Sequence, residues 1–144
     1  MPPDPPLVEL AQVQKFEFRA SFPGTKYLGL TVDEPGPAGG DAGPNPTRAL
    51  CLAVGHCMSS TLTSTCERAH VRIRPIWTTV RATTGRNDKG RWRVQQLEVE
   101  IDTGPLDEAD RPAFDHCVEI FPDYCTVSGS VRQGIPIVQR VGAR

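Results

Sequence analysis

The sequence predicts an α+β fold, with elements in the order strand, strand, helix, strand, strand, helices and a final strand. Three observations support it. Apolar and polar residues alternate from Lys15 to Phe22, an apolar helix follows from about Pro46 to Ala69, and two long strand-like segments come next. With 144 residues the chain has the size of one domain, predicted over residues 15–144. Residues 1–14 are predicted to be a flexible N-terminal tail, because four of the first six are prolines.

The first two strands should form an antiparallel hairpin. In the segment Lys15 to Phe22, aromatic residues and Ala20 share one face while charged residues occupy the other, as in a half-buried strand. Pro23-Gly24-Thr25 predicts a turn. The second strand then places three apolar residues on one face: Leu28, Leu30 and Val32.

The long helix should begin at Pro46, after a segment too rich in Gly and Pro for regular structure. Asn45 suits the N-cap, and Pro46 suits the first helical position. The first turns, from Ala49 to Val54, have no polar stripe, and a helix that is apolar all round is buried on all sides. A sheet should cover one side of it, and a second subunit could cover the other.

The second half of the chain should hold two strands, His70 to Ala82 and Arg91 to Asp102, joined by a turn. The apolar phase changes within the second of these, which predicts a bulge near Gln95-Gln96. A helical stretch should begin near Leu106 and be interrupted by Pro122. A short helix from about Cys125 to Gln133, ended by Gly134, and a last strand from Pro136 to Val141 complete the order.

Charge and hydropathy restrict the partners and the location. Residues 67–93 carry eight Lys or Arg and residues 94–123 carry nine acids, which we interpret as strands of opposite sign that pair. The net charge is −1, and no aromatic residues alternate with the Lys and Arg side chains. No nucleic-acid partner is therefore expected. No apolar run approaches the ~20 residues of a membrane span, and the start lacks the pattern of a signal peptide. We therefore expect a cytoplasmic protein without a membrane partner.

Five cysteines, an odd number, predict mostly reduced thiols, so any disulfide would be transient and catalytic. Cys57 lies in mid-helix beside Gly55, which allows another backbone or a ligand to approach closely. Cys66 points to the opposite face, and Cys51 sits in the apolar first turns. Cys125 opens a short helix, whose N-terminus would help to hold a thiolate, and Cys117 lies in the helix before it. Spacing alone leaves any of the five as the reactive thiol.

Two motifs together resemble the OsmC/Ohr family, named for osmotically induced protein C and organic hydroperoxide resistance protein. The first runs from Asp33-Glu34-Pro35 through the segment from Gly39 to Pro46 and an apolar helix to Gly55-His56-Cys57. The second is Cys125-Thr126-Val127-Ser128 with a short helix, Gly134 and a final strand. The resemblance covers about Phe16 to Val141.

The resemblance implies an intertwined homodimer, in which antiparallel sheets wrap central helices. It makes Cys57 the peroxidatic cysteine and Cys125 the resolving one. An organic hydroperoxide would oxidise Cys57 to a sulfenic acid, and a Cys57–Cys125 disulfide would follow. A dithiol reductant, either lipoyl or thioredoxin-like, would restore both thiols. The resemblance implies no metal and no other cofactor.

The chain also departs from the family pattern. Members of the Ohr branch carry a Glu ten residues before the reactive cysteine, where this chain has Thr47. That Glu anchors an Arg that holds the thiolate, and Arg19 is the best candidate here for that catalytic Arg. Arg48 lies ~13 Å from Cys57 along one helix and could act only across the dimer. Thr126 replaces the usual Pro after the resolving cysteine. The chain thus resembles a divergent OsmC-like branch.

The predicted function is that of a peroxiredoxin-like organic hydroperoxide reductase in oxidative stress defence. One alternative is a non-catalytic OsmC-like dimer that binds an apolar small molecule in the same pocket, and the missing Glu favours it. A second alternative is a metal site built from the histidines and cysteines, but the chain has no CxxC pair and no HxxxH spacing. Its five ligand candidates are His56, Cys57, His116, Cys117 and Cys125.

Overall fold

The computed structural model of the protein describes residues 5–142. They form two compact units, one ending at Leu50 and the other beginning at Cys51, and each is described by itself. Together they hold strands and helices that follow one another in the predicted order over most of the chain. The architecture is α+β, with antiparallel sheets and three α-helices, as the sequence predicts.

The first unit contains a three-stranded antiparallel sheet in the order β1-β2-β3. The strands are β1 (Glu9–Gln14), β2 (Glu17–Ser21) and β3 (Leu30–Val32). The predicted hairpin is confirmed as the pair β2–β3, in which Phe18 lies opposite Val32. Ala20 of the predicted apolar face is buried.

The prediction of a flexible tail is wrong for residues 9–14, because they form β1 and pair along β2. Every residue of β1 is exposed, so the strand lacks the alternation of burial that sequence reasoning looks for. The first four residues of the predicted tail lie outside the described residues.

The loop after β3 is organised around Asp33, a buried carboxylate. Its oxygens accept hydrogen bonds from the backbone N–H groups of Glu34 and Gly40, both at 2.8 Å, and of Ala42 at 3.2 Å. Burial raises the pKa of Asp33, but the three donors outweigh that effect and lower the pKa overall. The Gly- and Pro-rich segment thus has a defined path around one carboxylate.

Helix α1 (Pro46–Arg68) begins as predicted, because Asn45 Oδ1 accepts a hydrogen bond of 2.9 Å from the Arg48 N–H. In its first turns only Val54 is a buried apolar side chain, and Leu52 is 65% exposed. The expectation that this part of the helix is buried on all sides is therefore not met within one chain.

Two long strands, β4 (Ile76–Arg86) and β5 (Trp92–Thr103), form an antiparallel ribbon in the second unit. Thr83 pairs with Gln96 and Thr84 with Val94, so Gln95 is the extra residue of a bulge, as predicted. β4 begins later than predicted and extends into the expected turn. The predicted pairing of opposite charges is confirmed, since Arg81 lies opposite Glu98 and 3.8 Å from the Glu100 carboxylate.

Three helical segments follow: a 3-10 turn (Glu108–Asp110), α2 (Arg111–Tyr124) and α3 (Thr126–Gln133). Pro122 does not end α2, which continues to Tyr124, but α3 ends as predicted at Gly134 with φ 74°. The final strand predicted over Pro136–Val141 is wrong: no strand is formed there. Its apolar side chains are exposed, with Ile137 at 87%, and a strand needs a neighbour to pair with.

The core of the second unit lies between α1, α2 and the segment that leads into β4. Cys66 and Cys117 are its most deeply buried side chains. Among residues 5–142, no helix is both long and apolar enough to cross a membrane. The buried members of this core are Leu62, Cys66, Val71, Ile73, Cys117 and Phe121.

Candidate functional site

The second unit brings Cys57 and Cys125 together, although 68 residues separate them in the chain. Their Sγ atoms lie 3.2 Å apart, within the distance of a thiol hydrogen bond. Cys57 is half-buried and Cys125 is buried, and neither is in a disulfide. Of the pair, Cys57 is the sulfur that a reagent from solvent reaches more easily.

The break between α2 and α3 places Cys125 beside Cys57, which lies in the middle of α1. Cys125 has an extended backbone, with φ −80° and ψ 103°, and stands at the N-cap position of α3. The first turn of α3 therefore faces α1, and the Val127 N–H lies 3.5 Å from Cys57 Sγ as a hydrogen-bond donor. The N-terminus of a helix carries partial positive charge, which favours a thiolate. The predicted position of Cys125 at the start of a helix agrees with this arrangement.

The surroundings of Cys125 favour its ionised form. Burial raises the pKa of this thiol, but the Ser128 hydroxyl and N–H, the Cys57 thiol and the Thr61 hydroxyl lower it, and the net pKa lies below the ordinary value. Sequence reasoning did not assign Ser128 a role at the site. The spacing of Ser128, three residues after an N-cap, is a signal that could have indicated its approach to Cys125.

Of the two close approaches expected at Gly55, another segment of the chain or a ligand, the structure shows the first. A Cβ on Gly55 would lie only 2.6 Å from Cγ2 of Val80 on β4, so the missing side chain lets β4 pack against α1. Ser59 supports the same contact, because its hydroxyl lies 2.6 Å from that of Thr78. Gly55 therefore sets the distance between helix and ribbon beside Cys57, and the space above it is filled by the protein itself.

Cys66 and Cys117 form a second thiol pair, which sequence reasoning missed. Both lie in the core of the second unit. Burial, with the adjacent Cys117, raises the pKa of Cys66 to about 12. The Cys117 thiol donates to the Thr65 carbonyl at 3.7 Å. The Cys66 thiol is therefore protonated at neutral pH and is a poor nucleophile. They share no local sequence motif that could have indicated their contact.

Arg19 lies on β2 in the first unit, where its side chain donates a hydrogen bond of 3.1 Å to the Leu28 carbonyl. Its role at the thiols therefore remains a prediction. Arg48 is exposed and stands 3.9 Å from the Asp41 carboxylate. Over residues 5–142, no three side chains of His, Cys, Asp or Glu converge in a way that could hold a metal ion.

Comparison with known proteins identifies the family of this chain. A family model described as OsmC-like protein matches residues 39–139, well over half of the chain. The chain belongs to the OsmC-like family. None of the curated proteins compared with this OsmC-like chain matches it.

Solved structures agree with the OsmC-like fold. An OsmC-like protein of unknown function from Vibrio cholerae has a TM-score of 0.73 at 12% identity, covering 88% of this chain and 93% of that one. An organic hydroperoxide resistance protein from Legionella pneumophila has a TM-score of 0.69 at 11% identity and 92% coverage of both chains. The organic hydroperoxide resistance protein OhrB of Bacillus subtilis has a TM-score of 0.67 at 15% identity, with coverages of 89% and 90%. At these identities the likeness establishes the fold.

Proposed function

We propose that this OsmC-like protein is a thiol-dependent peroxidase that reduces organic hydroperoxides and serves in oxidative stress defence. The observation that carries the proposal is the approach of Cys57 and Cys125 to 3.2 Å, with a backbone donor directed at Cys57. The names of the Legionella and Bacillus proteins, which refer to organic hydroperoxide resistance, support the choice of substrate.

The first step is the oxidation of Cys57. Its thiolate attacks one peroxide oxygen, the O–O bond breaks, and the leaving alkoxide takes a proton to become an alcohol. Cys57 becomes a sulfenic acid and the hydroperoxide is reduced by two electrons. The half-buried position of Cys57 gives the substrate access, and the Val127 N–H supports the thiolate. Arg19 is the proposed side-chain cation for this step.

The second step closes the disulfide. The Cys125 thiolate attacks the sulfenic sulfur of Cys57, the S–O bond breaks, and the hydroxide takes a proton to leave as water. A disulfide needs an S–S distance of about 2.05 Å, so the two sulfurs have roughly 1 Å left to travel. The lowered pKa of Cys125 supplies the nucleophile at this position. A lipoyl or thioredoxin-like dithiol then reduces the disulfide and completes the cycle.

The decisive experiment maps oxidised cysteines by mass spectrometry after treatment with one equivalent of cumene hydroperoxide. We expect an intramolecular Cys57–Cys125 disulfide. Cys57→Ser should abolish peroxide reduction, since it removes the nucleophile. Cys125→Ser should react once and then accumulate sulfenic and sulfinic acid at Cys57.

Cys51→Ser is the matched control, because Cys51 lies on the same helix and its removal should leave peroxide reduction unchanged. A Cys117–Cys125 disulfide, or peroxide reduction that persists in Cys57→Ser, would show that Cys57 is not the nucleophile. A protein that binds cumene hydroperoxide without oxidising any thiol would instead be the non-catalytic alternative.

A further inference from the structure

Ser128 carries a buried hydroxyl that the fold does not satisfy. The residue lies in α3 and is 4% exposed, and its Oγ has no hydrogen-bond partner among residues 5–142. Most buried hydroxyls are hydrogen-bonded, because burial removes them from water. An alanine at this position would avoid that cost, so the stability of the fold does not explain the serine.

The hydroxyl and the N–H of Ser128 both lie beside the Cys125 sulfur. Neither makes a formed hydrogen bond to the neutral thiol, since Oγ has no partner and the Cys125 side chain does not cap α3. A thiol sulfur is a weak acceptor, whereas a charged acceptor makes shorter and stronger hydrogen bonds. The Ser128 hydroxyl is therefore suited to the ionised sulfur and remains unsatisfied while the thiol is protonated.

We infer that Ser128 stabilises Cys125 as the leaving thiolate when a dithiol opens the Cys57–Cys125 disulfide, and so directs the reductant to Cys57. The inference rests on the proposed peroxidase function and adds a residue to its reductive half. Solvent exposure also favours attack at Cys57, because Cys57 is half-buried whereas Cys125 is buried, with 3% of its surface exposed. The reductant therefore attacks Cys57, the more accessible sulfur, and Cys125 leaves as a thiolate stabilised by the Ser128 hydroxyl.

The bonds and electrons of this step balance. One thiolate of the reductant attacks Cys57 Sγ and forms a mixed disulfide, the Cys57–Cys125 bond breaks, and Cys125 leaves as a thiolate beside Ser128. The second thiolate of the reductant then attacks the reductant sulfur of the mixed disulfide and releases Cys57. The dithiol becomes a disulfide, two electrons pass to the protein, and the protons of the reductant pass to solvent or to the released thiolates. Exchange is faster when the leaving thiol has a lower pKa.

The test compares Ser128→Ala with Ser130→Ala, a serine two residues further along α3 that is half-buried. Each full-length protein is oxidised with one equivalent of cumene hydroperoxide, and reduction by dithiothreitol is followed by alkylation of the released thiols. Ser128→Ala should be reduced about three- to tenfold more slowly than the natural protein, because the leaving thiolate loses a donor. Ser130→Ala should match the natural protein.

Two further measurements separate this role from a structural one. In Ser128→Ala, the ultraviolet absorbance of the Cys125 thiolate should appear at higher pH, since removal of a donor raises the pKa of that thiol. The urea midpoint should stay the same or rise, because the removed hydroxyl had no partner.

If the natural protein completes its catalytic cycle and oxidised Ser128→Ala is reduced at the same rate as the natural protein, this inference alone is overturned. Slower reduction together with a lower urea midpoint and an unmoved thiolate titration would also overturn it. A natural protein that forms no Cys57–Cys125 disulfide would overturn the peroxidase proposal, and this inference with it.

Discussion

At the scale of single residues, the site depends on which donors surround each sulfur. Cys57 and Cys125 share one polar environment at the start of α3, whereas Cys66 and Cys117 share an apolar one in the core. Burial raises the pKa of both Cys125 and Cys66, but only Cys125 has enough hydrogen-bond donors to reverse the effect. The donors, and not burial alone, distinguish a thiol suited to redox chemistry from an inert one.

A prediction at this scale concerns Thr47, which stands where the Ohr branch has a Glu. If Arg19 is the proposed cation, Thr47→Glu should hold it by a charge-assisted hydrogen bond and raise the rate of organic hydroperoxide reduction. The gain should be about twofold to fivefold, the order of one such bond after solvent screening. It should disappear in the double variant Thr47→Glu/Arg19→Ala. Stopped-flow peroxide consumption measures both, and an unchanged rate in the single variant would remove Arg19 from the proposed site.

At the scale of elements, the position of α1 against β4 fixes where Cys57 lies. Gly55 permits this approach, because any larger side chain would meet Val80. The Ser59 and Thr78 hydroxyls bridge the same two elements at 2.6 Å. Within α1 itself, the Thr61 hydroxyl donates a hydrogen bond of 2.8 Å to the Cys57 carbonyl. The thiol is thus carried on a helix whose distance from the ribbon is set by one glycine and a hydroxyl pair.

The matching prediction compares two glycines within helices. Gly55→Ala should destabilise the fold by about 1–2 kcal/mol, because overpacking against a stiff β-branched side chain outweighs the gain in helix propensity. Gly129→Ala should stabilise it by up to about 1 kcal/mol, since a Cβ there meets nothing within 4 Å. Urea unfolding of both variants checks the pair. Equal effects in the two would show that Gly55 does not control this packing.

At the scale of the whole molecule, apolar surface remains uncovered in a single chain. Leu52 on α1 is 65% exposed, and the segment after α3 exposes Ile137, Val138 and Val141 at 84–95%. Exposed apolar clusters of this kind mark interaction surfaces. We therefore propose that a second copy of the chain covers them, which is also the assembly that the family resemblance implies.

The prediction for assembly is a homodimer in sedimentation at micromolar concentration, with twice the mass of one chain. Val138→Glu should weaken the dimer by about tenfold or more, because it places a charge in an apolar contact. Gln139→Glu adds the same charge at the neighbouring exposed position and serves as the control. A well-folded monomer of the natural protein at micromolar concentration would contradict the proposed assembly.

The sequence by itself determined the features that depend on neighbouring residues. The N-cap at Asn45, the bulge at Gln95 and the end of α3 at Gly134 all follow from local backbone chemistry, and the structure confirms each. Only the tertiary structure decided the rest. β1 carries no alternation because it is exposed throughout, and Gly55 faces Val80 and not a ligand. The 3.2 Å between Cys57 and Cys125 joins residues 68 positions apart, and such a distance depends on how helices pack, which no short window of residues encodes.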